Sequence, residues 1–284
     1  MKKYILLVVT MIIAIIGCQP VAQEAINPTE PSQIEVLTPQ PTNTAVPEVA
    51  IRVLSYNILY GGGISRDWDE IISDKNLRKD RTPYFIDYFN EIQPDVILFQ
   101  EAYQWGDYVE QFAAQIGMDY FFTDSGLAIL TRYEILEIDA KPFLLRARLL
   151  TPNGKEVSVF NAHLSPFNDE GRMCQLEVIA NEITPYLGGY TILAGDMNFQ
   201  LNLVDGKIAP ETLFLRQTGL DIVVRDTKLN RDHIWLSSSP RNWNLRSWFK
   251  PPADKNLISD HDPIGALIEF SSTAATLPLP GMCQ

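Results

Sequence analysis

The sequence has little positive charge for its 284 residues. It carries 23 Lys and Arg against 35 Asp and Glu, a formal net charge of −12. A protein of this charge has no overall attraction for polyanions such as nucleic acid, although a local basic surface could still provide one. The sequence also lacks internal repeats. With 46% hydrophobic residues it is typical of one large globular domain, and a fibrous or wholly disordered protein is excluded.

No apolar run in the sequence reaches the ~20 residues that span a bilayer. The apolar stretch over residues 4–16 follows Lys2 and Lys3 and is typical of the core of an export signal. It ends at Gly17 and Cys18, a pattern that resembles the bacterial lipoprotein signal, in which the cysteine becomes the lipid-modified first residue. We therefore predict a signal peptide over residues 1–17 and a lipid anchor at Cys18. The alternative is an ordinary signal peptide cut nearby.

Residues 19–50 contain six prolines and no aromatic residue, Lys or Arg. Such a segment cannot bury enough apolar surface to fold, so residues 18–50 are predicted to be a lipidated cysteine followed by a disordered tether. The protein would then be exported and held on the extracytoplasmic face of a bacterial membrane. Cys174 and Cys283 could form a disulfide there, but sequence gives no proximity, and two free thiols are the simpler expectation.

From residue 51 onward, short β-rich apolar runs alternate with amphipathic helical patterns. Strands are predicted over residues 51–58, 95–99, 127–130, 156–160, 190–194, 233–236 and 264–270, and helices over 83–92, 105–116 and about 171–187. Gly117 is expected to cap the second helix, and Pro185 to distort the last turn of the third. The runs are too mixed for a purely parallel sheet and too often separated by helices for an all-β sandwich. We therefore predict an α/β (α+β) fold in which two packed mixed sheets have helices outside.

Polar residues cluster where the predicted strands end. The six clusters are Ser55-Tyr-Asn57, Phe99-Gln-Glu101, Asn161-Ala-His163, Gly195-Asp196-Met-Asn198, Asp232-His-Ile and Ser259-Asp260-His261. An unpaired buried charge costs several kcal/mol, so carboxylates at these positions need partners or a metal. We therefore expect the clusters to meet in one site.

The order and residue types of the six clusters resemble the endonuclease/exonuclease/phosphatase superfamily. That superfamily includes pancreatic-type deoxyribonucleases, abasic-site endonucleases, inositol polyphosphate phosphatases and bacterial sphingomyelinases. The resemblance covers residues 51 to about 270 and identifies residues 51–271 as the domain and 272–284 as a C-terminal tail. It implies a four-layer sandwich with the site at one mouth. It also implies hydrolysis of a phosphate ester that depends on magnesium, with manganese as the alternative.

The resemblance also implies roles for the polar residues. Glu101 would be the metal carboxylate, with Asn57 and Asp260 nearby, because magnesium prefers hard oxygen ligands. Asp196 would orient or deprotonate the attacking water, and the Asn198 amide would donate to a phosphate oxygen. Side chains two residues apart in an extended segment leave the same face, so Asp196 and Asn198 can act together. An Asx-turn, the structural alternative, would require only one of them.

Asp232 and His261 resemble the family's carboxylate–imidazole pair, in which the acid favours the cationic ring. His163, together with Asn161, would contact the phosphate or protonate the leaving oxygen. His233 is left out of the predicted site. In a strand, it would point away from the face that carries Asp232, and a histidine packed under a helix is the better interpretation.

The substrate stays open at this point. Asn57 is followed by Ile58 and Leu59, without the acidic residue that abasic-site endonucleases carry. Gln200 likewise departs from the inositol phosphatase pattern. Residues 238–256 form a basic, aromatic segment that could stack bases, meet lipid head groups or simply be a solvated loop. The residues assigned there to substrate binding are Arg241, Arg246 and Trp248.

We predict a phosphodiesterase that acts on nucleic acid or a phospholipid head group. A phosphomonoesterase and a catalytically inactive surface binding module are the alternatives. The expected partners are the phosphate ester and, through Cys18, the membrane; no protein partner is predicted.

Overall fold

A computed structural model describes residues 49–62, 80–103, 108–203, 205–226, 230–238, 243–249 and 259–270. All of them fall within one structural unit, Ile34–Gln284. The predicted signal peptide, Cys18, residues 19–48 of the predicted tether, Arg241 and the predicted tail lie outside the described residues, so those predictions stay as they were made. The last two residues of the predicted tether, Val49 and Ala50, instead belong to the first strand. None of the helices in the described ranges has the length and apolarity needed to cross a membrane.

The described elements begin with a strand, and helices interrupt the strands at four points. In chain order they are β1 (Val49–Asn57), α1 (Leu59–Gly62), α2 (Thr82–Ile92), β2 (Val96–Gln100), α3 (Tyr108–Ile116), β3 (Asp119–Phe122), β4 (Ala128–Thr131), β5 (Glu134–Lys141), β6 (Leu144–Leu150), β7 (Glu156–His163), α4 (Asp169–Ile183), β8 (Tyr190–Asp196), α5 (Pro210–Thr218), β9 (Leu220–Arg225), β10 (Asp232–Ser237), β11 (Trp243–Trp248) and β12 (Ile264–Phe270).

The strands form two mixed six-stranded sheets. Sheet A has the order β11-β12-β1-β2-β4-β3, and sheet B has the order β5-β6-β7-β8-β10-β9. In sheet A, β1 and β2 are parallel, and in sheet B, β7 and β8 are parallel. The neighbouring pairs around them are antiparallel. Each sheet therefore has its one parallel pair near the middle.

Three apolar layers result from the alternation of side chains along the strands. In β1, Val53 joins the core between the two sheets, whereas the next residue, Leu54, packs under α2 and α3. In β10, Ile234 likewise faces the central core and Trp235 packs under α4 and α5. The order helix, sheet, sheet, helix confirms the four-layer sandwich.

All seven predicted strands are present, and three helices lie where the periodicity indicated. Gly117 follows α3 with φ +65°, as a C-terminal cap requires. A 3₁₀ turn over Thr184–Tyr186 continues α4, because Pro185 cannot continue the α-helical hydrogen bonds. The prediction missed β3, β5, β6, β9 and β11 and the helices α1 and α5. Strand β5 shows why: as an edge strand, its residues are half-buried or exposed, and its sequence is charged rather than apolar.

Candidate active site

Three of the polar clusters meet at one position along sheet B. Asp196, the last residue of β8, pairs with His163, the last residue of parallel β7. On its other side Asp196 pairs with Asp232, the first residue of antiparallel β10. Two strands therefore end and a third begins on the same rung of the sheet. This rung, His163–Asp196–Asp232, brings together residues that are far apart in the sequence.

The carboxylate of Asp196 is the centre of the site. Only 2% of this residue is exposed. Its Oδ2 lies 3.7 Å from Nε2 of His163 and 3.7 Å from Nε2 of His261. The same oxygen accepts a hydrogen bond of 3.2 Å from Nδ2 of Asn57. The imidazoles of His163 and His261 and the amide of Asn57, which ends β1 of sheet A, therefore converge on a single oxygen atom.

The residue before Asp196 must be glycine. Gly195 has φ +148°, and a Cβ at this position would lie 1.9 Å from the carbonyl oxygen of Ala162 on β7. No side chain fits such a gap. The close approach of β7 and β8 at this point holds His163 beside Asp196.

Asn198 follows in a left-handed conformation, with φ +52°. Its backbone N–H donates to Oδ1 of Asp196 at 3.0 Å, and its Nδ2 donates to the carbonyl of Leu164 at 2.9 Å. This is the Asx-turn that we considered as the structural alternative. It does not displace the predicted role, because Nδ2 carries a second hydrogen that can be donated.

Sheet A contributes Asn57 and Glu101, at the ends of β1 and β2. Nδ2 of Asn57 donates to Oε1 of Glu101 at 3.0 Å as well as to Asp196, while its Oδ1 accepts from the backbone N–H of Leu59 at 3.1 Å. The Asn57 oxygen keeps a second lone pair, so the expectation that Asn57 contributes to the metal site stays a prediction. Its Nδ2 bridges two carboxylates and reduces the repulsion between them.

The backbone around Glu101 is strained. Leu59, Tyr60 and Glu101 all have positive φ, at 45°, 49° and 54°. Residues other than glycine adopt this region at a cost of about 1–3 kcal/mol each, which the surrounding structure must offset. The turn directs the backbone N–H of Tyr60 toward Oε2 of Glu101, at 3.4 Å. Strain of this kind concentrates at functional sites in proteins.

The segment Ser259 to His261 closes the site. The Ser259 hydroxyl donates to the carbonyl of Asn57 at 2.7 Å and accepts the backbone N–H of His261 at 3.2 Å. These bonds fix the entry to β12 against the end of β1. His261 is thereby held over the rung of sheet B, although the strand that follows it, β12, belongs to sheet A.

His261 and Asp232 form a buried ion pair, with 2.7 Å between Nδ1 and Oδ2. Burial, together with the negative charges of Asp196 and Asp226, raises the pKa of the Asp232 carboxyl to about 7, although the hydrogen bond and the charge of His261 lower it. Burial lowers the pKa of His261, but the hydrogen bond that its Nδ1–H donates to Asp232 and the negative charges of Asp232, Asp196 and Asp260 outweigh this effect and raise the pKa to about 10. The favoured state is therefore a cationic imidazole beside an ionised carboxylate.

Glu101 and Asp260 have the donor chemistry of a divalent metal site. Burial raises the pKa of the Tyr60 phenol, and the charges of Glu101 and Asp260 raise it further, so both carboxylates lie near this side chain. Magnesium prefers oxygen ligands of this type. The group Asp196, Asp232 and His261 could also hold a metal, since its ligand atoms all lie within 4.8 Å of one another. There, however, the hydrogen bond between Asp232 and His261 already uses one donor atom of each.

Two residues near the site were missed from the sequence. Arg81 is fully buried, and its guanidinium donates to the carbonyl of Leu59. Burial lowers its pKa to about 10, against the opposing effect of Tyr56, Asp260 and Glu101, so it remains a cation near the two carboxylates. Its position directly before α2 was the only signal in the sequence.

The second missed residue is Asp226, which follows β9. Its Oδ2 accepts the backbone N–H groups of Arg231 at 2.7 Å and of Asp232 at 3.0 Å, and its Oδ1 accepts that of Asn230 at 2.9 Å. Asp226 therefore fixes the backbone that enters β10. A single acid in a loop gives no pattern from which this could be predicted.

The structure corrects the role of Asn161. Its amide is fully buried between the sheets, where Nδ2 donates to the carbonyls of Phe99 and Ala128 at 2.8 and 2.9 Å. Its Oδ1 accepts Nε2 of Gln100 at 2.7 Å. Asn161 shares a face with His163, but it lies one pleat deeper in the sandwich. It joins the two sheets behind the site and cannot contact a phosphate.

Of the predicted substrate residues in the basic segment, Arg246 lies away from the site, Arg241 is outside the described residues, and the role of Trp248 stays a prediction. Arg246 forms an ion pair with Glu269 at 2.5 Å. Glu269 pairs with Ala50 at the start of β1, whereas Asn57 of the site lies at the other end of that strand. Trp248 is half-exposed on β11, an edge strand of sheet A. His233, left out of the prediction, is buried against Phe199 and Trp235, and burial lowers its pKa to about 4. It is therefore neutral and structural.

Comparison with solved structures finds the same fold in several proteins. The catalytic domain of human Nocturnin, with bound sulfate, is 16% identical over 80% of this chain and 96% of its own, with a TM-score of 0.60. An endonuclease/exonuclease/phosphatase family protein from Bacteroides thetaiotaomicron gives 16% identity, 80% and 100% coverage and a TM-score of 0.60. D. rerio TDP2 in complex with a single-strand DNA product is 18% identical over 78% of this chain and 99% of its own, with a TM-score of 0.57.

Comparison with curated protein sequences gives no match. A sequence profile of the family, in contrast, matches residues 54–261, which include all six polar clusters. Members of this family are generally metal-dependent phosphoesterases or nucleases. The match spans most of the chain and agrees with the four-layer fold. The chain therefore belongs to the Endonuclease/Exonuclease/phosphatase family.

Proposed function

We propose that this protein is a phosphodiesterase that depends on magnesium, or alternatively manganese, and acts on nucleic acid or on phospholipid head groups. The observation that carries the proposal is the convergence on Asp196. One carboxylate oxygen within 3.7 Å of two imidazoles is suited to accept a proton from water beside groups that stabilise an anion. A family neighbour, D. rerio TDP2, has a single-strand DNA product bound in its structure.

In the proposed reaction, Asp196 orients the attacking water and takes its proton. The cationic His261, held by Asp232, stabilises the negative charge that develops on the phosphoryl oxygens. His163, less buried than its two partners on the rung, protonates the leaving oxygen. The second hydrogen of the Asn198 amide donates to a phosphoryl oxygen and keeps the ester in line with the water.

Glu101 and Asp260 would hold the divalent metal. When bound, the metal would supply Lewis-acid stabilisation of charge on a phosphoryl oxygen. The Asn57 amide and the Tyr60 backbone N–H keep the Glu101 carboxylate in a fixed orientation. The cation Arg81 partly balances the negative charge of Glu101 and Asp260 from behind.

We further propose that the protein is exported and anchored by a lipid on Cys18, with residues 19–48 as a tether. The support for this is the N-terminal sequence alone. Its function there would be to cleave phosphate esters outside the cytoplasm.

The test is a substrate panel with the full-length protein in Mg²⁺, in Mn²⁺ and in chelator. The panel contains bis(p-nitrophenyl) phosphate, p-nitrophenyl phosphate, a short oligonucleotide and phospholipid vesicles. We expect metal-dependent cleavage of diesters and little of the monoester. A preference for the monoester would favour a phosphomonoesterase. No hydrolysis of any substrate in either metal by folded protein would favour a binding module and contradict the proposal.

A further inference from the structure

A groove of about 560 Å³ opens beside the candidate active site, between α4, α5 and the chain that follows β8. Asn198 lines it, so the groove is continuous with the site. The volume is within the ~300–1,000 Å³ of typical ligand sites. On its wall lies Arg231, the residue directly before Asp232. We call it the Arg231 groove.

The Arg231 groove is lined by three acids, Asp169, Glu170 and Glu211, and by two arginines, Arg172 and Arg231. Arg172 forms ion pairs with Asp169 and, at 3.4 Å, with the buried carboxylate of Glu211. Arg231, in contrast, is exposed and makes no ion pair with any residue that the structure describes. Arg231 is thus a cation available to a ligand in a protein whose net charge is −12.

The backbone of Arg231 is fixed on both sides. Its N–H donates to Asp226 at 2.7 Å, and its carbonyl accepts the N–H of Met197 at 2.9 Å. Met197 lies between Asp196 and Asn198. The guanidinium therefore extends from a rigid point beside the residues proposed to act on the phosphate, which reduces the ordering cost of binding.

Apolar side chains provide another surface of the groove. Phe199, Met173 and Leu203 all line it, and Leu203 is 47% exposed. An exposed apolar surface beside a cation suits a ligand that combines planar or apolar groups with negative charge. A nucleotide has both features.

We propose that the Arg231 groove binds the part of the substrate next to the scissile phosphate, and that Arg231 contacts a second phosphate there. The substrate would then be an oligonucleotide, in which each phosphodiester has a phosphate neighbour. This inference rests on the proposed function and narrows it. A phospholipid with a choline head group has no second phosphate, and its cationic choline would be repelled by Arg231.

The test compares Arg231→Gln with wild-type protein on two substrates. One is a short single-stranded oligonucleotide, and the other is bis(p-nitrophenyl) phosphate, which has no second phosphate. We expect the ratio of kcat/KM for the oligonucleotide to that for the small diester to fall about tenfold, since a charge-assisted hydrogen bond is lost. The loss should appear mainly in KM, because the contact is made equally before and during the reaction.

Two further variants sharpen the comparison. Arg231→Lys keeps the charge and should recover much of the ratio. Arg216→Gln removes an arginine from the other end of α5, outside the groove, and should leave the ratio unchanged. The dependence of log(kcat/KM) on log salt concentration should become less steep in Arg231→Gln, by roughly 0.7 for one contact with a single strand.

An unchanged ratio, or an Arg231→Gln defect that appears on phospholipid vesicles and not on the oligonucleotide, would overturn the proposal. A binding measurement distinguishes failure of the groove assignment from failure of the proposed catalytic function. We expect the dissociation constant of a labelled oligonucleotide, measured by fluorescence anisotropy in chelator, to rise about tenfold in Arg231→Gln. If no substrate is cleaved but this rise is observed, the groove assignment stands and the catalytic one fails.

Discussion

His261 and Asp232 are hydrogen-bonded at 2.7 Å in the interior of the sandwich, although Asp232 begins a strand of sheet B and His261 lies on the segment that leads into sheet A. Asp232 is only 1% exposed, and its second oxygen has no hydrogen-bond partner in the described part of the chain. His261 is thus the carboxylate's only hydrogen-bonded counterpart there, and each group determines the charge of the other.

Asp232→Asn should move the pH dependence of activity. In the wild type, the raised pKa keeps His261 cationic until the pH rises through about 10. The amide of the Asp232→Asn variant cannot provide the negative charge that raises the pKa of His261, while burial still lowers that pKa. His261 should therefore lose its positive charge at a lower pH than in the wild type. The kcat/KM profile from neutral to alkaline pH measures this. Asp205→Asn, at an exposed position, is the control, and an alkaline limb identical to the wild type would contradict the role of the pair.

Asp196→Ala should leave a folded protein with almost no hydrolysis. General base catalysis contributes about 10²–10⁴-fold, so we expect a loss of at least about 100-fold in kcat. Thermal unfolding should show that the variant retains a cooperative transition. Asp205→Ala removes an exposed acid that pairs with Lys207 and should keep full activity. Undiminished turnover of a diester by Asp196→Ala would refute the mechanism.

Asn161→Leu should destabilise the sandwich. The change leaves the carbonyls of Phe99 and Ala128 and the Gln100 amide without their partner, at about 1 kcal/mol or more each. The free energy of unfolding should fall by about 3 kcal/mol in urea titrations. Asn181→Leu, at an exposed position of α4, should stay within about 0.5 kcal/mol of the wild type. Equal stability of the two variants would mean that the inter-sheet bonds contribute little.

His233→Gln should make the protein less sensitive to acid. The pKa of His233 is about 4 when folded and ~6.5 when unfolded, so its contribution to stability is present above pH 6.5 and is lost as the pH falls toward 4. Glutamine cannot titrate but can still donate to the carbonyl of Asn230. Between pH 7 and pH 5, wild type should lose about 2 kcal/mol more than the variant in the free energy of unfolding. Parallel losses would show that His233 does not titrate in this range.

Cys18→Ser should abolish lipid attachment. Incorporation of labelled palmitate by the protein, expressed in a bacterial host, measures the modification directly. Cys174→Ser and Cys283→Ser are the controls and should retain the label. Label that persists in Cys18→Ser would place the lipid elsewhere or exclude it.

The strand ends that carry the site could be predicted because each cluster adjoins an apolar run: four clusters lie where a strand ends, and the clusters at Asp232 and at Ser259 lie where a strand begins. The fourth cluster shows this best, since Asp196 and Asn198 follow the buried strand β8. The rung that joins His163, Asp196 and Asp232 could not be predicted, because it depends on the pairing of strands that are far apart in the chain. Arg81 and Asp226 act through backbone groups and leave no residue pattern. Asn161 was misassigned because the two-residue period gives the face of a strand but not the depth along it.

The site and the groove are built from different parts of the fold. The His163–Asp196–Asp232 rung is set by hydrogen-bonded strands, whereas Arg231, Phe199 and Leu203 stand on connecting segments. Connections accept insertions and substitutions far more readily than paired strands do. Descendants of one ancestor can therefore diversify in what they cleave by remodelling these connections, while the proton-handling apparatus is inherited without change.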